Sequence, residues 1–536
     1  MKRIFIRTFQ KYRMKRFGKI NQVLLLVLVV VQVTYYLIPR SSFTADSLIK
    51  VLQAKGWIES DYKSEEIFFL GKNADPNFEF FPIRTARASD GSVIGPFPFA
   101  NTLFTALFVK IGRPELLIYF CGLLFCAYIL LLYRMSDRVF VPTLTALATP
   151  LYHHFIGFSD VAIASLSILL SFYLISESHF PRNADHKTPD RKTNEGTEFP
   201  IPENESYARD DRKTFGAGIL FGTACWFRPE AFLLFVSLCA GFFLIRKNGN
   251  FGFDSIRKKF LIRLIFGFSI PFLLFMIFNN IQYGSVLGSR ITSESNRTIF
   301  EFDALKKLSD VKSLLFFGNQ RIGFFGFSPW YLFMILFFPL RWSYVRFFDK
   351  VLFVTFCLNL VAVCVLTPND SNIDWGSRYL TCGTTVLFLL LAKWNDVLYK
   401  TPKTRFAIRM LFAILIIYSV IVNVKAVRTL REISIRLARI QSEIPWNNYD
   451  VIVTGQLQIA NTFGLFYLTH SIFYVQNGQD LKKIAQSINE KKILLVEDVR
   501  NPVLTNQIDG ILGGPSKIVV LKRKPGRLLR LSELIP

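Results

Sequence analysis

Apolar residues in this chain fall into eleven long runs, and the first of them orients the rest. Residues 22–38 carry no charge, and a helix of that length crosses a hydrocarbon core of about 30 Å with slight thinning of the bilayer. Further runs follow at 114–133, 139–155, 161–175, 214–227, 231–245, 260–279, 322–339, 350–366, 379–393 and 406–425. Each reads as a transmembrane helix. The stretch 96–112 is apolar but short, and counting it as a span would invert everything after it, so it reads as an interfacial or re-entrant helix. Beyond residue 424 the hydropathy falls and the pattern changes to strand, helix, strand: DVIVTG (450–455), SIFYVQN (471–477), a helical GQDLKKIAQSINEK, KILLVED (492–498) and SKIVVLK (516–522). That spacing predicts a small α/β domain over 426–536. The fold class expected is a polytopic α-helical membrane protein of about 11 transmembrane helices with a small C-terminal α/β domain.

Charge fixes the sidedness. The tail 1–21 holds eight Lys or Arg and no acid, which keeps it in the cytoplasm under the positive-inside rule. A cleaved signal peptide would need a small-residue cleavage site, and PRSSFTAD offers only a poor one. With the N-terminus inside, the loops 133–138, 246–259, 341–350 and 393–405 are cytoplasmic, and all are basic. The insertion 177–213 faces the same side; rich in Pro, Asn and charge, it reads as disordered. The segment 39–113 is then the first outward loop, and an odd number of spans leaves the C-terminus outside. The outward side is a periplasm or a lumen.

Composition agrees with this picture. The chain has 536 residues, half of them apolar, with 56 Phe and a formal charge of +25. In a soluble protein that charge would suggest nucleic acid; here it sits in the tail and short loops, where it serves orientation, and no nucleic acid partner is expected. The seven cysteines all fall inside apolar runs and read as small buried hydrophobes. His153 and His154 abut a span end without an acid or Cys at ligand spacing, and read as interfacial. Gly455 stands alone and makes no phosphate loop.

The informative polar groups emerge on the outward side: Asp46 just beyond the first span, Asp160 in IGFSD, Arg228 and Glu230 in FRPEA, Arg290 in the loop 279–297, Ser328 in QRIGFFGFSP, and Asp374, Trp375, Arg378 and Tyr379 in TPNDSNIDWGSRY. Charges at span edges are expensive unless paired or bordering a wet cavity, although Arg, Trp and Tyr there also serve as interface anchors. Arg228, Arg290 and Arg378 are fixed, always charged forks suited to phosphate, while Asp46, Asp160, Glu230 and Asp374 are candidate bases or metal ligands. A lipid-linked phosphosugar would set its phosphate within reach of such arginines. Transfer of its sugar to a hydroxyl needs one carboxylate to take the proton and cationic groups to stabilise the departing phosphate. Asp46 is the best-placed base, and it also fits as N-cap of the helix SLIKVLQAKG.

These residues, in this order, resemble the GT-C class of integral-membrane glycosyltransferases, which includes bacterial relatives of protein O-mannosyltransferases and the aminoarabinose transferase of lipid A. The family carries a catalytic Asp or Glu soon after the first span, the position of Asp46. SDGSVIGPFPFANTLFTALFVKIG, GFSDVAIASLSILLSFYLI, FRPEAFLLF, YGSVLGSR, GFFGFSPWYLF and DWGSRYLTCGTTVLF resemble family motifs in collinear order over residues 22 to about 425. The chain departs from the pattern in having a lone Asp46 where many relatives have a paired D-E, Val286 where Pro is common, and Thr384 or Thr385 in place of a last proline. The resemblance implies a polyprenyl-phosphate sugar donor and inversion at the sugar carbon. The acceptor is an unidentified glycan, lipid or protein, and whether a divalent cation takes part stays open. Two rival classes are a flippase or transporter for such lipids and a non-catalytic scaffold. A transporter would carry ionisable residues mid-span and broken helices in paired halves, but most of the apolar runs contain no acid and no internal repeat is seen.

Overall fold

The computed structural model describes residues 20–32, 43–83, 85–136, 138–179, 210–245, 255–289, 303–318, 321–367, 376–398, 405–488, 492–499, 504, 517–520 and 529–535. Its helices are α1 (Ile20–Gln32), α2 (Ala45–Glu59), α3 (Phe99–Lys110), α4 (Leu116–Ser136), α5 (Phe140–Leu147), α6 (Leu151–Ile156), α7 (Val161–His179) and α8 (Asp211–Cys225). There follow α9 (Ala231–Leu244), α10 (Ser255–Tyr283), α11 (Ala304–Leu315), α12 (Phe324–Phe327), α13 (Trp330–Phe337), α14 (Phe347–Leu366), α15 (Thr381–Leu398), α16 (Arg405–Glu443), α17 (Leu457–Ala460) and α18 (Gly478–Ser487). Among the described residues, α4, α10, α14 and α16 are long and apolar enough to cross a membrane, and α1, α3, α7, α9 and the stretch Arg378–Ala392 that runs into α15 are apolar but shorter. The insertion between α7 and α8 lies outside the described residues over 180–209.

Helix α8 packs between α7 and α10. Its contact with α10 is close because Gly218 and Gly222, four residues apart, face Leu264, Phe268 and Pro271, while Gly267 of α10 faces Phe215 in return; a Cβ at any of the three would overlap the opposing backbone. Small residues at this spacing let membrane helices approach until their backbones touch.

Two expected spans are not single helices. The run 139–155 breaks between α5 and α6, where Pro150 cannot continue the ladder. Other helices supply the missing donors. Ala146 O accepts from Gln32 Nε2 (3.0 Å), Leu147 O from Asn423 Nδ2 (2.8 Å), and Ala148 O from Ser328 Oγ (2.9 Å) and Trp330 Nε1 (3.1 Å). Irregular backbone at membrane depth persists only where buried partners satisfy it in this way. The run 322–339 divides similarly, at Ser328 and Pro329 between α12 and α13. Helix α16 instead outruns its expected span by continuing to Glu443. His154 is buried beside the first break rather than interfacial, and His153 meets the Phe327 ring edge-on at 5.8 Å.

Short hairpins pair β1 (Ala86–Arg87) with β2 (Val93–Ile94) and β3 (Phe317–Gly318) with β4 (Arg321–Ile322). Beyond α16, β5 (Val451–Thr454), β6 (Ser471–Tyr474), β7 (Ile493–Asp498), β8 (Lys517–Val520) and β9 (Leu529–Ile535) form one sheet in the order β6-β5-β7-β9-β8. The first three strands are parallel, and β9 runs antiparallel to both β7 and β8.

The sheet shares a hydrophobic core with the segment that contains α2 and the residues up to Phe81. Leu48, Ile49 and Leu52 of α2, with Ile67, Phe69, Phe78 and Phe81, pack with Val451, Ile452, Phe473 and Leu494. Phe80 O accepts from Tyr474 N (2.8 Å), so the segment also lies along the edge strand β6. Val51, on another side of α2, belongs to the core of the helix bundle. Helix α2 therefore stands in both cores. Helix α3, within the stretch expected to be interfacial, buries Asn101, Thr102 and Thr105 while Leu103 and Leu107 are exposed, as is Ile111 just past its end. Such inverted polarity suits a helix whose outer face meets lipid.

Candidate active site

Four separate helix starts bring charge to one place. Helix α2 begins at Thr44, whose backbone N–H donates to Ser47 Oγ (3.0 Å). Thr44 and not Asp46 is thus the N-cap, and Asp46 sits in the first turn, where the helix dipole favours an anion. Asp160 immediately precedes α7, Arg228 and Glu230 occupy the turn between α8 and α9, and Arg378 opens a single 3-10 turn before α15.

The ion pairs join these elements. Arg378 Nη1 donates to Asp46 Oδ2 at 2.7 Å. Arg228 Nη1 lies 3.4 Å from Asp160 Oδ2 and 3.7 Å from Glu230 Oε1, and its Nη2 donates to the Arg378 carbonyl at 3.4 Å. Asp160 Oδ1 faces Lys50 Nζ at 3.2 Å. Lys50 is one helical turn from Asp46, so α2 presents both on the same face. Its ammonium also lies over the rings of Phe97 (4.6 Å) and Phe158 (5.3 Å), a cation–π cradle that compensates for lost water. Three cations, Lys50, Arg228 and Arg378, thus meet three acids, Asp46, Asp160 and Glu230.

Burial divides the cluster into a base and a rim. Arg228 and Lys50 are 1% and 2% exposed, and ions that far from water persist only as a paired network. At the other extreme the Asp46 side chain is 55% exposed and that of Arg378 17%. Only the rim can meet a ligand without unfolding the cluster.

The arrangement does not fit a divalent ion held by these acids. Each carboxylate already faces a cationic side chain, and among the described residues no three of His, Cys, Asp and Glu gather as a metal site. All seven cysteines are free thiols.

No family model matches the chain, and no curated protein matches it in sequence. Its shape has counterparts among solved structures. The oligosaccharyltransferase of Archaeoglobus fulgidus, tethered to an acceptor peptide, superposes with a TM-score of 0.52 at 12% identity over 90% of this chain and 69% of that one. In its apo form it gives a TM-score of 0.51 at 12% identity, covering 90% and 70%. ArnT from Cupriavidus metallidurans, bound to undecaprenyl phosphate, gives 0.49 at 12% identity, covering 95% and 97%.

The chain has a GT-C-like fold.

Within this GT-C-like fold, Asp46, Asp160, Arg228, Glu230 and Arg378 converge from four loops far apart in sequence. Tyr379 is buried beside them, its ring 5.8 Å from the Arg378 guanidinium carbon. Ser328 does not join the cluster, because its hydroxyl caps the helix break at Ala148. Arg290, Asp374 and Trp375 lie outside the described residues. Lys50 was missed from the sequence. Its signal was the spacing of four from Asp46 within SLIKVL, where a lone lysine amid apolar residues reads as a snorkelling surface group.

Proposed function

We propose that the protein is a membrane glycosyltransferase that moves a hexosyl or pentosyl group from a polyprenyl-phosphate donor to a hydroxyl of a glycan, lipid or protein acceptor. The transfer is placed on the periplasmic side of a bacterial inner membrane, with about 11 spans around the site. The observation that carries this reading is the exposed Asp46 carboxylate held 2.7 Å from Arg378, above a buried base of Lys50, Asp160 and Arg228. Likeness in fold to an oligosaccharyltransferase supports a transferase.

The donor phosphate would take the Arg378 guanidinium, which leaves Asp46 for the acceptor. Arg378 suits this role because its fork can bind phosphate oxygens in pairs. As the acceptor oxygen bonds to the sugar carbon, the bond from that carbon to phosphate breaks, and the hydroxyl proton passes to Asp46. The phosphate leaves with its electron pair beside Arg378, within the field of Arg228. Arg228 and Lys50 stay in place and hold the rim through the Arg378 carbonyl and Asp160.

Asp46→Asn tests the proposal. Transfer should fall by about 10²–10⁴-fold, the usual weight of a general base, while binding of polyprenyl phosphate persists. Unchanged transfer in the variant would refute the role of Asp46, and unchanged lipid movement without any transfer would favour a flippase.

A further inference from the structure

Glu65 is a buried acid outside the charge cluster, and its surroundings differ in kind. It is 3% exposed and faces three neutral donors. Oε2 accepts from Gln53 Nε2 (2.7 Å) and Thr102 Oγ1 (3.2 Å), and Oε1 accepts from Tyr283 OH (2.8 Å). Gln53 Oε1 in turn accepts from Gly95 N (3.1 Å). The donors come from α2, from α3 and from the last residue of α10. The backbone around Glu65 is also fixed, since Ile67 N donates to Val93 O (2.8 Å) and Phe68 N to Leu52 O (3.1 Å). Burial pushes the Glu65 carboxyl up to about 7. Among the described residues no cation pairs with it, and an acid buried this far from water is costly unless its hydrogen bonds are satisfied.

The geometry of α2 supplies one. Residues 46, 50 and 53 fall within about 60° of arc on an α-helix, and positions 46 and 53 are about 10 Å apart along its axis. Gln53 therefore lies on the face that carries Asp46 and Lys50, two turns further on. A helix held at Gln53 cannot rotate. If it were released, a turn of about 20° would move a carboxylate near its outer radius by about 2 Å. Misplacement of about 1 Å can cost 10²-fold in rate.

We infer that Glu65 is a positioning residue, pinning α2 through Gln53 to the ends of α3 and α10 so that Asp46 meets its acceptor. This rests on the glycosyltransferase reading, but the pin can be measured without turnover. In Glu65→Ala, kcat should fall about 100-fold while KM for the donor and binding of undecaprenyl phosphate stay within about threefold. Amide hydrogen exchange over 45–59 should rise at least tenfold. Tyr283→Phe removes one donor without changing shape, and should show the same split at about three- to tenfold. Glu65→Gln keeps an acceptor for part of the network and should recover part of kcat relative to Glu65→Ala. Among the described residues Tyr283 is the titratable group that faces Glu65, with Gln53 and Thr102 neutral, so protection over 45–59, corrected for the intrinsic pH dependence of amide exchange, should change near neutrality in the native protein and lose that change in Glu65→Gln. Native-like exchange in both Glu65→Ala and Tyr283→Phe would overturn the inference whether or not transfer is seen. Native exchange behaviour of the variants' α2 with kcat and donor binding falling together would overturn it as well. Absence of transfer by the native protein, with raised exchange in Glu65→Ala, would instead reject the glycosyltransferase reading and leave the pin standing.

Discussion

Replacing Asp160 by Asn puts the buried base of the site to its hardest test. At an effective dielectric of about 20, unit charges about 3.3 Å apart attract by about 5 kcal/mol, and Asp160 makes two such contacts, at 3.2 Å to Lys50 and 3.4 Å to Arg228. Much of that attraction offsets the cost of removing the ions from water, so the measurable quantity is the penalty for stranding a partner, about 3–5 kcal/mol. Arg228 would keep Glu230 at 3.7 Å. The stranded group is Lys50, held between Phe97 and Phe158. Asp160→Asn should therefore lower the thermal midpoint of the purified protein by several degrees, followed by tryptophan fluorescence. The double variant Lys50→Met with Asp160→Asn removes the stranded charge while keeping its volume, and should be more stable than Asp160→Asn alone, with a coupling of about 2 kcal/mol. A native midpoint in Asp160→Asn, or a double variant no more stable than the single, would show that the acid is not the counter-ion this geometry makes it.

Three further outcomes follow from other parts of the molecule. Arg378→Ala should weaken polyprenyl phosphate binding about 10- to 100-fold, the worth of a charge-assisted hydrogen bond, and Arg378→Lys should recover part of it because the charge remains while the fork is lost; equal native affinity in a detergent-solubilised binding assay would remove Arg378 from the donor site. Gly376 has φ +73° and a Cβ there would overlap Pro150, so Gly376→Ala should displace the turn bearing Arg378 and lower kcat/KM about tenfold or more, to be read from transfer kinetics. Asn423→Ala uncaps Leu147 O and should cost about 1–3 kcal/mol of stability with donor affinity unchanged, measured by thermal midpoint and lipid binding together.

Hydropathy located most helices because lipid and protein core both select apolar side chains. The runs 231–245 and 350–366 correspond closely to α9 and α14. It failed where backbone geometry decides, at Pro150 and Pro329, since a broken helix and a continuous one have the same mean hydropathy. The polar half of α16 also escaped, because a helix that leaves the membrane loses its apolar signal without losing its hydrogen bonds. Strand β9 lies behind a basic, glycine-containing stretch and was not anticipated. Among the charges, Asp46, Asp160, Arg228 and Arg378 were legible as charged groups beside apolar runs. Their pairing was not, because it depends on loops meeting across more than 300 residues of chain in the case of Asp46 and Arg378. Lys50 and Glu65 were hidden for another reason: their roles lie in burial, which a single sequence does not display.

The double footing of α2 carries a consequence for inheritance. Leu48, Ile49 and Leu52 rest on the terminal sheet while Lys50 and Asp46, on the same few turns, complete the ionic site. A recombination that exchanged everything after α16 for an unrelated module would strip those three side chains of their neighbours and loosen the acid with them. Packing under the sheet and the placement of the acid are therefore one design problem, solved in a single shared core.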